Sequence, residues 1–250
     1  MPASNVSLDD FYKTALGQYV LDWELGQYDR LVSDCFGYNA LQIGATSIDF
    51  LRNNRIPLKV AGDQELRPLT GIRSEGRCPV LLSFKELPFE EDSFDLVLLP
   101  HTLEEVDDPH AVLREIHRIL IPNGRVIITG FNLMSLWGLR LKLQRFSGNA
   151  FLPGRQFFSV FRLKDWLNLL NMNVDRGAFG CYESAWTLGR KKKDHWMEKA
   201  GDRWWPQCGA VFAISARKVV EGNKFVGRAI RTKSPSFVGG RQAVTNVNKK

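Results

Sequence analysis

Residues able to take part in chemistry lie at the ends of apolar segments that are typical of buried strands. They are Gly44, Asp63, Ser83 and His101. A glycine lets the backbone approach a ligand closely, because it has no Cβ atom. A histidine in such a place is a candidate general base, since its ordinary pKa is near neutral pH; the alternative is a loop histidine that packs on a ligand or bonds to the backbone. Ligands of α/β sheets bind outside the carboxyl ends of the strands, where all four residues would lie.

The elements that must position these residues are clearest in the middle of the chain. Phe94–Pro100 and Arg125–Ile128 are apolar runs without alternation, as expected of parallel strands covered by helices on both faces. Between them, Asp108 predicts a helix N-cap, with Pro109 as the first helical residue. Pro122–Gly124 predicts the turn into the next strand. The apolar face of this helix is formed by Val112, Leu113, Ile116, Ile119 and Leu120.

Similar patterns predict the other elements of an α/β domain. Further strands are predicted at 40–44, 58–61, 79–84 and 209–215, and another is predicted to begin at 173–174. Helices are predicted from a capping box at Ser7 and Asp10, over a second stretch from Tyr28 to Cys35, from Ser47 to Leu51, and from Leu163 to Leu170.

The composition is that of a soluble globular protein with a single α/β domain, since 44% of the 250 residues are hydrophobic and 24% are charged. No apolar run is long enough to cross a bilayer, and the acidic, polar start is unlike a secretory signal. The four cysteines lie far apart without a C-x-x-C pair, which indicates reduced thiols in a cytoplasmic protein. Neither the cysteines nor the four histidines have the spacing of metal ligands, so we expect no metal.

Charge is distributed unevenly along the chain. Residues 151–250 carry 19 basic and 7 acidic residues, whereas residues 1–150 carry 15 and 20. The segment 222–250 holds seven basic residues and no acidic one, which predicts a disordered tail that is solvated or binds nucleic acid or anionic lipid. We therefore divide the chain into N-terminal helices at 1–39, one domain at 40–221 and this tail.

A long insertion at 181–208 combines basic and aromatic residues. It contains Arg190–Lys193 and three tryptophans, Trp196, Trp204 and Trp205. The first interpretation is a cap over a substrate cleft with its charge solvated. The second is a contact with a membrane surface, because basic residues and tryptophan suit the headgroup layer. The third is RNA binding, although no known RNA-binding module is visible.

Two motifs resemble signatures of the class I S-adenosylmethionine-dependent methyltransferases. Leu87-Pro88-Phe89 before Phe94-Asp95-Leu96-Val97 looks like the family's LPF…FDLV, and Glu115–Arg125 looks like its E-x-x-R-V-L-K-P-G-G turn. The resemblance covers about Leu41 to Gly130, and within the family the chain is most similar to small bacterial proteins of the quinone-biosynthesis-like group. It implies a Rossmann-like sheet of seven strands with helices on both faces and one antiparallel strand near an edge. It also implies S-adenosylmethionine across the ends of strands one to four.

The resemblance assigns cofactor contacts by position. Gly44 matches the first glycine of the family's loop, Asp63 or Glu65 its ribose-binding acid, and Pro100, His101 and Thr102 the residues beside the methionine part. The implied cofactor-binding residues are Gln42, Gly44, Asp63, Ser83, Phe84, Pro100 and His101.

The chain departs from the family's pattern at several of these positions. Gln42 replaces an acid two residues before the first glycine, and Ser83 replaces an aspartate near the adenine. Thr46 and Ile48 replace the later glycines of the loop, where their side chains add bulk. Gly44–Asp49 also lacks the G-x-G-x-x-G pattern of a nicotinamide dehydrogenase, and the chain has no G-x-S-x-G elbow of a hydrolase.

We therefore predict an S-adenosylmethionine-dependent methyltransferase that acts on a small or lipophilic molecule, with His101 as the candidate base. Glu104 and Glu105 are expected to form a solvated rim. The alternatives are a noncatalytic binding protein on the same fold and an RNA methyltransferase. Further residues have two interpretations each: Phe131, Trp137 and Trp166 would wall an aromatic pocket or belong to the core, and Arg155 and Arg162 would hold an acidic substrate or lie on the surface.

Overall fold

The central sheet of the protein has seven strands in the order β3-β2-β1-β4-β5-β7-β6. The computed structural model describes residues 8–64, 77–135, 137–138, 157–182 and 203–219. Strands β1 to β5 run parallel to one another, and β7 runs antiparallel to both β5 and β6. This is the Rossmann-like sheet that the resemblance implied. The strands are β1 (Asn39–Ile43), β2 (Leu58–Asp63), β3 (Arg77–Leu81), β4 (Phe94–Pro100), β5 (Leu120–Phe131), β6 (Met172–Gly180) and β7 (Val211–Lys218).

Two helices, α1 (Leu8–Tyr12) and α2 (Ala15–Val32), precede the sheet. Thr14 separates them, because its hydroxyl accepts a hydrogen bond from the Gly17 N–H at 3.0 Å and caps α2. The predicted capping residue Ser7 lies outside the described residues. The second stretch predicted from Tyr28 is not a separate helix, since it continues α2.

The strand–helix–strand unit predicted in the middle of the chain is confirmed. Helix α4 spans Pro109–Ile119, and the Asp108 carboxylate accepts a hydrogen bond from the Ala111 N–H at 3.1 Å. A short helix, α3 (Thr102–Glu105), comes before it. Strand β5 begins directly after α4, and Asn123 makes the predicted turn within the bounds of this strand, with φ +65°.

Other segments confirm or correct the sequence predictions. Helix α5 (Val160–Leu169) and strands β6 and β7 lie where they were predicted. The helix predicted at Ser47–Leu51 is wrong, because this segment forms turns. Strand β3 begins before its predicted start and ends at Leu81. The last helical element is a 3₁₀ turn at Pro206–Cys208. All four cysteines have free thiols.

Helices cover both faces of the sheet. Leu41, Val97 and Val126 lie in one hydrophobic cluster with residues of α4 and α5. Their neighbours Ala40, Leu96 and Ile127 lie in a second cluster with residues of α1 and α2, because successive side chains of a strand point to opposite faces. Among the residues described, no helix has both the length and the apolar character needed to cross a membrane.

Candidate functional site

The loop after β1 is held by the side chain of Gln42, which is fully buried. Its Nε2 donates to the carbonyl oxygens of Gly44, Ala45 and Ile48 at 3.2, 3.0 and 2.9 Å. Its Oε1 accepts from the Phe50 N–H at 3.2 Å and from Arg77 at 2.9 Å. A carboxylate could not donate to these carbonyl oxygens. The need for a donor explains why this position has a glutamine and not the acid of the family's pattern. The same hydrogen bonds hold residues 44–50 in turns, where a helix was predicted.

Gly44 makes a close turn at the tip of β1. Its φ is +81°, in the left-handed region that favours glycine, and its N–H donates to the Gly62 carbonyl at 2.9 Å. A Cβ atom on Gly44 would lie 2.9 Å from the Thr102 hydroxyl, which itself donates to the Ile43 carbonyl at 2.5 Å. The backbone of the loop thus lies directly against the residues that follow β4.

The two residues that replace the family's later glycines have different surroundings. The Thr46 hydroxyl donates to Oδ2 of Asp63 at 3.0 Å, across the tips of β1 and β2. The Gln64 N–H donates to the other carboxylate oxygen of Asp63 at 2.7 Å. A carboxylate has about four acceptor positions, so Asp63 keeps about two for a ligand. Ile48 packs against the hydrophobic cluster of α1 and α2, and the positive φ in this loop belongs to Ala45 instead.

The other predicted cofactor contacts lie in contrasting environments. Pro100 ends β4 at the same edge of the sheet as Gly44 and Asp63, and its carbonyl oxygen is 3.7 Å from where a Cβ of Gly44 would be. Ser83 is exposed, beyond the end of β3. Phe84 is 1% exposed and packs in the hydrophobic cluster on the α4 side, so its side chain is part of the core.

His101 lies at the centre of a buried polar cluster rather than at an open site. We call the three side chains Glu24, His101 and Glu104 the Glu–His–Glu cluster; they are at most 2% exposed. The imidazole Nε2 is 2.8 Å from Glu24 Oε1, and Nδ1 is 2.9 Å from Glu104 Oε2. The second oxygen of Glu24 accepts from the Tyr12 hydroxyl at 2.7 Å, and that of Glu104 accepts from the Phe131 N–H.

The cluster fixes the charge of His101. Burial alone would lower the pKa of the imidazole, but the carboxylates of Glu24 and Glu104 outweigh burial and raise this pKa to about 10. Burial also raises the pKa of the Tyr12 hydroxyl well above its ordinary value, and Glu24 adds to this effect. His101 is therefore an imidazolium at neutral pH and has no lone pair to accept a proton. This geometry does not support the role of general base expected for His101.

Glu104 corrects a second expectation. Glu105 is exposed as expected, but Glu104 is not part of a solvated rim, because it binds His101 and the Phe131 amide inside the protein. Sequence analysis also assigned no role at the site to Glu24. The missed signal is its spacing, since Glu24 occupies the same face of α2 as the buried Val20, Tyr28 and Leu31. A carboxylate on an apolar face needs a partner, because an unpaired buried charge is very costly.

The charge on His101 predicts a loss of stability at alkaline pH. Because folding raises its pKa from 6.5 to about 10, this group stabilises the protein fully below about pH 6.5. That contribution falls by about 1.4 kcal/mol per pH unit as the pH rises toward 10. We expect the difference in free energy of unfolding between the wild type and His101→Leu, measured by urea denaturation, to shrink from pH 6.5 to pH 9.5. A difference independent of pH would contradict a buried imidazolium.

The predicted aromatic residues do not form one pocket. The ring of Phe131 lies 4.4 Å from the imidazole of His101. Trp166 belongs to the hydrophobic cluster on the other face of the sheet, with its ring 4.3 Å from that of His110. Trp137 is 7% exposed and packs on the α1 and α2 side. The core interpretation is thus the correct one for all three.

Several predicted features are exposed or lie outside the described residues. Arg162 stacks over the Trp166 ring at 5.5 Å and is exposed on α5. Trp204 and Trp205 are 70% and 64% exposed. The predictions that fall outside the described residues concern Glu65, Arg155, Arg190–Lys193, Trp196 and the tail at 222–250.

Comparison with known proteins gives matches in sequence and in structure. Residues 61–128 match the family model described as methyltransferase domain. The Escherichia coli protein named "Uncharacterized protein YafS" is 44% identical over 88 residues, which are 35% of this chain and 36% of that protein. The chain thus spans little more than a third of this relative's length. A demethylmenaquinone methyltransferase of Bacillus cereus is 26% identical over 197 residues, covering 78% of this chain and 68% of the relative.

Solved structures match over most of the chain. A protein of Thermotoga maritima, described as an S-adenosylmethionine-dependent methyltransferase and possible histamine N-methyltransferase, superposes with a TM-score of 0.57 at 18% identity. The match covers 83% of this chain and 98% of that protein. At this level of identity the match establishes the fold.

Proposed function

We propose that this chain is an S-adenosylmethionine-dependent methyltransferase. Its residues 61–128 match the methyltransferase domain family, and its sheet has the strand order of the Rossmann-like fold. We further propose that its methyl acceptor is a small lipophilic molecule of the quinone type. The name of the Bacillus cereus relative supports this acceptor class.

The observation that carries the proposal is the turn at Gly44. It brings backbone without a side chain to the carboxyl ends of β1 and β4, the edge at which α/β sheets bind ligands. Asp63 ends the neighbouring strand β2 and keeps acceptor positions that suit the two ribose hydroxyls of the cofactor. These residues fit an S-adenosylmethionine site, with Pro100 and Thr102 on the side of the methionine part.

When bound, S-adenosylmethionine supplies a methyl group already activated on a sulfonium. The protein then has to align the acceptor and exclude water, which accounts for much of the rate of such reactions. In this chain, the Glu–His–Glu cluster serves alignment by holding the backbone between Pro100 and Thr102 in place. The protonated His101 is a positioning residue and takes no proton from the acceptor.

Exposed apolar side chains near the end of β5 favour a lipophilic acceptor. The side-chain amide of Asn132 donates to the carbonyls of Gln207 and Gly209 at 2.8 and 3.0 Å, which joins the end of β5 to the segment before β7. Close to this junction Met134 is 63% exposed, like the two tryptophans Trp204 and Trp205. Because β5 runs parallel to β4, these exposed side chains lie at the carboxyl ends of the strands, as Gly44 does.

Titration calorimetry with S-adenosylmethionine tests the proposal. We expect the wild type to bind it and Asp63→Ala to bind about 10- to 100-fold more weakly, because hydrogen bonds to a charged group contribute about 1.5–3 kcal/mol. Asp29→Ala is the matched control, since Asp29 pairs with the exposed Arg52 and is not among the residues assigned to the cofactor. It should bind like the wild type.

The second candidate is a noncatalytic binding protein on the same fold. The hydrogen bond from Thr46 to Asp63 favours it, because this bond occupies one of the about four acceptor positions of the carboxylate that a ribose would contact. If neither S-adenosylmethionine nor its demethylated product gives heat with the wild type, this second candidate replaces the methyltransferase.

A further inference from the structure

We propose that the surface formed by Met134, Arg203, Trp204 and Trp205, here called the tryptophan rim, docks the protein on an anionic lipid bilayer. The inference goes beyond methyl transfer, because docking on a bilayer requires no cofactor. It names the source from which a lipophilic acceptor would reach the site.

The tryptophan rim exposes three large apolar side chains. Trp204 and Trp205 are adjacent in the chain and are 70% and 64% exposed, although tryptophan has one of the largest apolar surfaces of any residue. Met134 adds a third apolar side chain that is 63% exposed. A cluster of large exposed apolar side chains marks an interaction surface. Tryptophan in particular prefers the interface between membrane and water, because its ring is apolar and its N–H is polar.

The backbone holds the rim in place. The Asn132 N–H donates to the Ala210 carbonyl at 2.8 Å, and its side chain binds two further carbonyls of the segment before β7. The Cys208 N–H donates to the Trp205 carbonyl at 2.9 Å, which closes the turn behind the tryptophans. Met134 is tied to the same junction, since its N–H donates to Oδ1 of Asn132 at 3.1 Å. The three apolar side chains therefore extend from backbone segments that are joined by hydrogen bonds.

Positive charge near the tryptophan rim favours an anionic bilayer as its partner. Arg203 is exposed directly before the two tryptophans. Residues 151–250, which include Arg203 and both tryptophans, carry 19 basic and 7 acidic residues. Basic residues near a bilayer strengthen binding when the lipid is anionic. The combination of exposed tryptophan and positive charge suits an anionic headgroup layer better than a neutral one.

The test is sedimentation with vesicles of phosphatidylcholine, with or without phosphatidylglycerol, using the full chain. We expect the wild type to bind the mixed vesicles, with a blue shift of tryptophan fluorescence. The double variant Trp204→Ser/Trp205→Ser should bind them at least about tenfold more weakly, because two large apolar rings no longer enter the interface.

The chain offers a matched control at the opposite edge of the sheet. Phe36 and Tyr38 lie before β1 and are 73% and 78% exposed, so the variant Phe36→Ser/Tyr38→Ser removes similar apolar surface elsewhere. It should bind mixed vesicles like the wild type. Equal binding by the two double variants would overturn the proposal and leave the basic residues as the cause. Absence of vesicle binding by the wild type would overturn it as well.

The result can be separated from the proposed methyltransferase function. Calorimetry with S-adenosylmethionine is run on the same two double variants, whose substitutions lie outside the residues assigned to cofactor binding. Cofactor binding without vesicle binding refutes only the docking surface, whereas vesicle binding without cofactor binding refutes only the reaction.

Discussion

Replacement of His101 by leucine lowers the free energy of unfolding by about 3–5 kcal/mol in urea denaturation at pH 7. The loss is large because the variant leaves the carboxylates of Glu24 and Glu104 buried without the cation between them. His101 also has φ +54°, a conformation that costs a leucine about 1–2 kcal/mol.

Two further variants separate these causes. In His101→Asn the new residue tolerates the left-handed conformation, so the backbone is little strained. The loss of stability of this variant therefore reports the loss of the charged imidazole. His110→Gln is the control, because His110 is exposed on α4, contacts Trp166 and has no buried carboxylate partner within the described part of the chain. We expect it to cost about 1 kcal/mol or less. Equal effects of the His101 and His110 variants would show that the buried cluster contributes nothing.

Gly44→Val abolishes S-adenosylmethionine binding in calorimetry, with an affinity loss of at least about 100-fold. The substitution is unfavourable for two reasons. A β-branched residue does not readily adopt φ +81°, and its Cβ would lie 2.9 Å from the Thr102 hydroxyl. The loop must then move away from β4, which displaces the backbone that we assign to the cofactor.

The control for this variant is another glycine. Gly26 lies in α2, and no atom lies within 4 Å of where its Cβ would be. Gly26→Ala should bind the cofactor like the wild type and gain about 0.5–1 kcal/mol of stability, because alanine favours a helix. If Gly44→Val binds as tightly as the wild type, the cofactor site is elsewhere.

The sheet could be predicted from the sequence because its signals are local. An apolar run such as Phe94–Pro100 and a cap such as Asp108 indicate their structures through residues a few positions away. The predicted helix at Ser47–Leu51 failed because a buried side chain from the preceding strand, Gln42, binds the carbonyls of this loop. No local pattern of the loop reports that contact.

The Glu–His–Glu cluster could not be predicted for a related reason. Glu24 precedes His101 by 77 positions, and only the packing of α2 on the sheet brings them together. Glu104 stands beside Glu105 in a polar stretch, where a solvated pair is the ordinary outcome. In the buried position, its carboxylate accepts a hydrogen bond from the amide of Phe131, which lies at the end of β5 and far from Glu104 in the sequence.

The position of β7 has a consequence for synthesis of the protein. This strand comes last among the seven, yet it lies between β5 and β6 and supplies the pairing partner of each. While the ribosome is still adding residues before Val211, the nascent chain has made both flanking strands but not the one that joins them. Assembly of that side of the sheet is therefore a late event in translation, and earlier stages present unpaired edges to chaperones.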